Sequence, residues 1–241
     1  MKPPVPKGSL PIDFAVPRFG SPVDLLVRSA ALFFSNVTFI VSVTLAVFLP
    51  AKAVLHWLCW ALDLSTKGLT MYATLSASDL VLASLVTPAV IYGLVARLRG
   101  KPAPPLGEAL KWGRRQWWKT FWNRIKVEIT VSLSLLLLVV PGLIAMIRLV
   151  FTDAIVAIEG DRTSAVLNRS TELSKGRRWL IFFVMLPVVV VEIVGSYFVL
   201  GAFSSPTSSR ILLAVMDAAL SAGGQGATVV VLLMYLGIAK E

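Results

Sequence analysis

The stretch "VVPGLIAMIRLVFTDAIVAIEG", residues 139–160, decides the architecture of this chain. It is apolar enough to enter a bilayer, yet it opens on Pro141-Gly142 and carries Arg148 and Asp153. Three readings compete: a single crossing, a hairpin that turns at Pro141-Gly142 and crosses twice, or a water-soluble core. Composition removes the third. The chain is 56% apolar and only 15% charged, with a mean hydropathy of +0.80, whereas a soluble domain needs about a quarter of its residues charged. Apolar runs at 37–62, 80–96, 129–158, 179–203 and 211–238 suit a bilayer core that takes about 20 residues to cross. The expected fold is all-α: a polytopic transmembrane bundle of about six membrane segments, one a short Pro-Gly hairpin, with three amphipathic interfacial helices.

Charge placement separates the two remaining readings. Nine basic residues lie between Arg97 and Lys126, opposed only by Glu108, and Arg162, Arg169, Lys175, Arg177 and Arg178 fill the loop at 159–178. A single crossing would put these two loops on opposite faces, against the tendency of Lys and Arg to stay in the cytoplasm. A turn at Pro141-Gly142 puts both inside with the two termini, leaving only Lys52, Lys67, Arg148 and Arg210 elsewhere. Pro lacks a helix-bonding N–H and Gly accepts unusual dihedrals, so that corner is cheap. Each leg has about 15 residues, or ~22 Å of helix, so the hairpin is short, thins the bilayer or re-enters.

The net charge of +10 is juxtamembrane, which favours anionic headgroups over nucleic acid. Lys111, Arg114, Arg115, Lys119, Arg177 and Arg178 are the expected contacts with anionic lipid at the cytoplasmic face. A protein partner or homo-oligomer stays open. One Cys and one His leave no intramolecular disulfide, no cysteine-based or histidine-rich metal centre and no expected Ser/His/Asp triad, so no catalytic residue, cofactor or metal is expected.

Residues 1–20 hold five prolines and no apolar core, which reads as an extended, solvated cytoplasmic tail. Residues 21–241 read as one membrane domain. Ser21-Pro22-Val23-Asp24 has the chemistry of a capped helix start. Amphipathic helices are expected after Ser21, after the Pro102–Pro105 linker and over 163–175. The first and third share Leu26-x-Arg28-Ser29-x-x-Leu32 and Leu167-x-Arg169-Ser170-x-x-Leu173. This suggests a repeat of interfacial helix plus hairpin over 21–98, 104–158 and 162–238.

Ionisable groups within lipid-depth segments usually face protein or water. Counting along each segment puts Arg148, Glu192 and Asp217 near mid-bilayer, with Asp153 closer to the cytoplasm, and predicts that the four form a polar cluster. Gly223, Gly224, Gln225 and Gly226 interrupt the last apolar run. They read either as a helix break of the kind that exposes backbone at binding sites or as a close-packing face. Lys52 and Asp79 fall together near the outer boundary. His56 reads as interfacial, and Glu128 as a partner for Lys126 or Arg124.

The run "PGLIAMIRLVFTDAIVAIEGDRTSAVLNRSTELSKGRRWLIFF", residues 141–183, resembles the membrane domain attached to some bacterial glycerophosphodiester phosphodiesterases and to related uncharacterised multi-span proteins. Pro141-Gly142, Arg148, Glu159-Gly160, Ala165 to Ser170, Leu173 and Gly176 carry the likeness. The resemblance implies a multi-pass protein of the bacterial inner membrane. The phosphodiesterase activity of such proteins belongs to a separate soluble domain that nothing here matches. The expected role is non-enzymatic: organising or binding lipids or partner proteins. A small transporter or channel-like subunit is the alternative, and a lipid enzyme the weakest reading.

Overall fold

The computed structural model describes residue 10 and residues 21–62, 68–160, 165–203 and 210–239. The rest of the tail, residues 161–164 with Arg162 and the start of the helix expected over 163–175, and Lys240 lie outside the described residues. Among those described, the chain forms nine α-helices and no strand. They are α1 (Pro22–Ser35), α2 (Val37–Ala61), α3 (Gly68–Leu98), α4 (Leu106–Leu137), α5 (Val139–Leu149), α6 (Thr152–Glu159), α7 (Val166–Ser174), α8 (Arg178–Phe203) and α9 (Arg210–Ala239). Five stretches are long and apolar enough to cross a membrane: Val37–Cys59, Ser76–Leu98, Val139–Glu159, Arg178–Gly195 and Val215–Ala239. The chain is a helical membrane bundle.

Exposure follows the same logic. Only 11% of the Arg178–Gly195 stretch is buried, and Phe183, Val190, Val191 and Phe198 lie bare on α8. Such a surface suits hydrocarbon, where apolar groups need no cover and helices satisfy their own backbones. The core gathers instead around α2, α3, α6 and α9. Every residue from Ala154 to Ile158 is buried, as are Val86, Ala89, Val90, Ile91, Leu94 and Val95 on α3 and Leu232 to Leu236 on α9.

The chain doubles back between α4 and α5. Leu138 alone is extended, with φ −162° and ψ 145°, and α5 folds against α4. The corner therefore falls three residues before Pro141, which sits in the first turn of α5, where a missing N–H costs nothing. Gly142 supplies the other condition for closure. A Cβ there would run into the side chain of Leu135 and lie 2.9 Å from its Cα.

Two expectations are corrected by packing. The amphipathic segment after the Pro102–Pro105 linker is not a separate interfacial helix: it is continuous with the first hairpin leg as α4. Its anchor is α3. Gly113 packs on the carbonyl of Leu85, Trp112 stacks on Tyr92 at 5.3 Å and Trp117 Nε1 donates to the Val81 carbonyl at 3.2 Å. The tail is also not solvated at Leu10, which is buried and donates its N–H to the Ile158 carbonyl at 2.7 Å.

The helix start at Ser21 is as expected, with Asp24 N–H donating to Ser21 Oγ at 3.1 Å. The two matched segments turn alike. Ser29 and Ser170 are buried, while Arg28 and Arg169 point outward. Ser170 joins three elements: its hydroxyl donates to the Arg148 carbonyl at 2.8 Å and accepts from Phe151 N–H at 3.2 Å.

Candidate functional site

Two groups of charges lie within the bundle. Lys52 and His56 stand one turn apart on α2 and so share a face. Lys52 is fully buried; its Nζ lies 2.5 Å from Asp79 Oδ1 on α3 and 2.9 Å from Asp217 Oδ2 on α9. His56 Nε2 lies 3.5 Å from the same Asp217 oxygen. One ammonium thus holds two carboxylates from two other helices. A buried cation of this kind persists only when paired.

The second group ties α4 to α3 and α6. Arg124 donates to Asp153 Oδ2 through Nε at 2.9 Å and a terminal nitrogen at 2.6 Å. That terminal nitrogen also donates to Thr87 Oγ1 at 2.8 Å. The guanidinium fork accounts for the choice of Arg, since an ammonium cannot make this planar set of contacts.

A cleft of about 430 Å³ runs between the groups, lined by Asp79, Glu192, Asp217 and Gln225 and by Thr87, Arg124 and Asp153. Phe48, Ile91, Met185 and Val231 supply apolar wall. Gly224 matters here, because a Cβ would stand 3.1 Å from Glu192 Oε1. Gln225 is buried and accepts at Oε1 from Thr228 Oγ1 at 3.1 Å. A second cleft of about 630 Å³ lies between α3, α4, α5 and α6, and shares Asp79, Ala83, Arg124, Val150 and Asp153 with the first. The Arg124–Asp153 pair therefore borders both.

Of the four residues predicted to cluster, Asp153, Glu192 and Asp217 line one cleft and Arg148 does not. Arg148 faces outward from the end of α5. The depth count placed it along the helix axis but carried no information about direction around the helix. Arg124 is the cation that lines the cleft, and the fully buried Lys52 holds two of its carboxylates, Asp79 and Asp217. Asp79 pairs with Lys52 as expected. His56 is a correction: it is buried beside Asp217 rather than interfacial. Arg124 likewise bonds Asp153, not Glu128. The run Gly223–Gly226 is no helix break, since α9 continues through it; Gly224 leaves space beside Glu192. Lys111, Arg114, Arg115 and Arg178 are exposed, and Lys119 and Arg177 partly so. Among the described residues no group of three or more His, Cys, Asp or Glu could hold a metal ion.

The model of a family described as a domain of unknown function, DUF7847, matches residues 63–240. The chain belongs to the DUF7847 family. The matched region carries Asp79, Thr87, Arg124, Asp153, Glu192 and Asp217. Lys52 and His56 come from α2, ahead of it, so the ion group joins the DUF7847 region to the preceding helix. No curated protein and no solved structure matches the chain.

Proposed function

We propose that this DUF7847 protein is a non-enzymatic lipid-binding protein of a bacterial inner membrane, with both termini cytoplasmic. The cleft of about 430 Å³ carries the reading. Its size is that of a small-molecule site, and it sets charged groups against apolar wall, as an amphipathic ligand requires. It is too small for a whole lipid, so a headgroup and the first acyl carbons are what it holds. Asp79, Asp153, Glu192 and Asp217 offer acceptors, which suits a headgroup bearing amine or hydroxyl donors. The exposed Lys111, Arg114, Arg115 and Arg178 support contact with anionic headgroups at the cytoplasmic surface. The five stretches long and apolar enough to cross a membrane support the multi-pass setting.

Native mass spectrometry after purification in mild detergent tests this. The parent protein is expected to retain an amine- or hydroxyl-headgroup lipid, and Gly224→Leu, whose side chain grows towards Glu192, to retain at least about tenfold less, as for loss of a buried polar site. Equal retention by both proteins would overturn the reading.

A second reading, a small transporter, is favoured by one observation: the two clefts meet at Arg124 and Asp153. Solute flux in proteoliposomes that rises when the pair is removed would select it.

A further inference from the structure

Resting on the lipid reading of the first cleft, we infer that its occupant is an aminophospholipid, with the primary ammonium of the headgroup at Glu192 and a phosphate oxygen at Gln225. Charge selects the ammonium. Asp79, Asp153, Glu192 and Asp217 line the cleft, and among the described residues Arg124 is the one cation that lines it with them. Lys52 stands behind, its Nζ at the Asp79 and Asp217 carboxylates. Four carboxylates against two cations leave an excess of two negative charges. One remains even when His56, 3.5 Å from Asp217, is protonated. Bringing a like charge to such a site is costly, so the cleft disfavours a headgroup that is only anionic and favours one that leads with a cation.

Space places that cation. Lys52 fills the gap between Asp79 and Asp217, and the Arg124 fork covers Asp153. Beside Glu192 the backbone of α9 is bare: among the described residues, a Cβ at Gly224 would meet one atom of another helix within 4 Å, Glu192 Oε1 at 3.1 Å. A primary ammonium brings three N–H donors to these acceptors, which hydroxyls match less well because they bring no charge.

Gln225 supplies the second anchor. It follows Gly224 on α9, lines the same cleft and is only 5% exposed. Its Oε1 accepts from Thr228 Oγ1, while its two amide N–H donors have no partner among the described residues. Buried donors are rarely left unbonded, and a phosphate oxygen is an acceptor they can serve. Phe48, Ile91, Met185 and Val231 supply the apolar wall, which suits the first acyl carbons and has no use for a free amine.

Native mass spectrometry of the full chain, exchanged into detergent with equal amounts of phosphatidylethanolamine and phosphatidylglycerol, tests the assignment. Both lipids carry the phosphodiester; one ends in an ammonium and the other in hydroxyls. Lipid lost when Gly224→Leu closes the cleft is the cleft's own, as distinct from lipid at the basic surface. That fraction is expected to favour the ethanolamine lipid by about tenfold or more. Glu192→Gln removes a charge at constant shape, so it is independent of any packing fault in Gly224→Leu. It is expected to bring the ratio below about threefold, and Gln225→Leu to lower retention of both lipids alike. A cleft fraction no richer in the ethanolamine lipid, an unchanged ratio in Glu192→Gln or undiminished retention in Gln225→Leu would overturn the inference and leave a headgroup site in place. No lipid lost in Gly224→Leu would overturn the lipid reading itself. Glycerophosphoethanolamine, the same headgroup without acyl chains, is expected to leave the lipid bound at equal concentration; full displacement would make the ligand a soluble amine and also overturn the inference.

Discussion

Lys52→Met is expected to destabilise the bundle by about 3 kcal/mol, the lower end of the cost of removing one partner from a buried ion pair. Methionine keeps most of the stem volume, so the loss reports charge and not a cavity. It leaves Asp79 and Asp217 facing each other, the latter with only 11% of its side chain exposed. The lower end of the range is expected because Asp79 is 45% exposed and retains some solvation through the cleft. Reversible unfolding in mixed micelles measures the difference. Lys52→Met combined with Asp79→Asn and Asp217→Asn is expected to regain most of it, because two amides can bond each other without a cation. A single variant within about 0.5 kcal/mol of the parent, the range of ordinary surface changes, would show that the ammonium does not hold the three helices.

Arg124→Leu carries the second large effect, about 1.5–3 kcal/mol, the usual worth of hydrogen bonds to a charged group. Both partners are about a quarter exposed, which keeps the cost below that at Lys52. Arg124→Lys is expected to recover less than half, because one ammonium cannot reach both Asp153 and Thr87 in the planar arrangement of the guanidinium. The same unfolding assay measures it, and a full rescue by Lys would reduce the contact to simple charge. Removing the pair also opens the first cleft onto the second, so the stability change and any change in solute flux can be read on one variant.

These two cations show where the sequence was informative and where it was not. Hydropathy alone located the membrane segments, because runs of Leu and Val at that length have no stable place in water. The hairpin was also visible in the placement of Arg and Lys on either side of Pro141-Gly142. Its corner was placed three residues late, since Pro141 serves as a helix start and Gly142 as the contact point for Leu135.

Depth counting brought Asp153, Glu192 and Asp217 to one cleft. It failed for Arg148 because position along a helix does not fix the direction of a side chain around it. Arg124 was hidden for a different reason. It sits in a strongly basic run that reads as a topology signal, and only the packing of α4 along α3 reveals that one of those charges turns inward. Lys52 and Asp79 were paired by depth, whereas Asp217 and His56 required the three-dimensional meeting of α2 with α9.

The doubling-back at Leu138 underlies the packing of α5 on α4 and the second cleft, and the distance between the two legs tests it most directly. With Cys59→Ala, spin labels on cysteines introduced at the exposed Glu128 and Arg148 are expected within about 20 Å of each other, since packed helices lie about 8–10 Å apart and the label arms add the rest. In one unbroken helix the same positions would lie about 30 Å apart. A separation near that value in the folded protein in its membrane would contradict the hairpin.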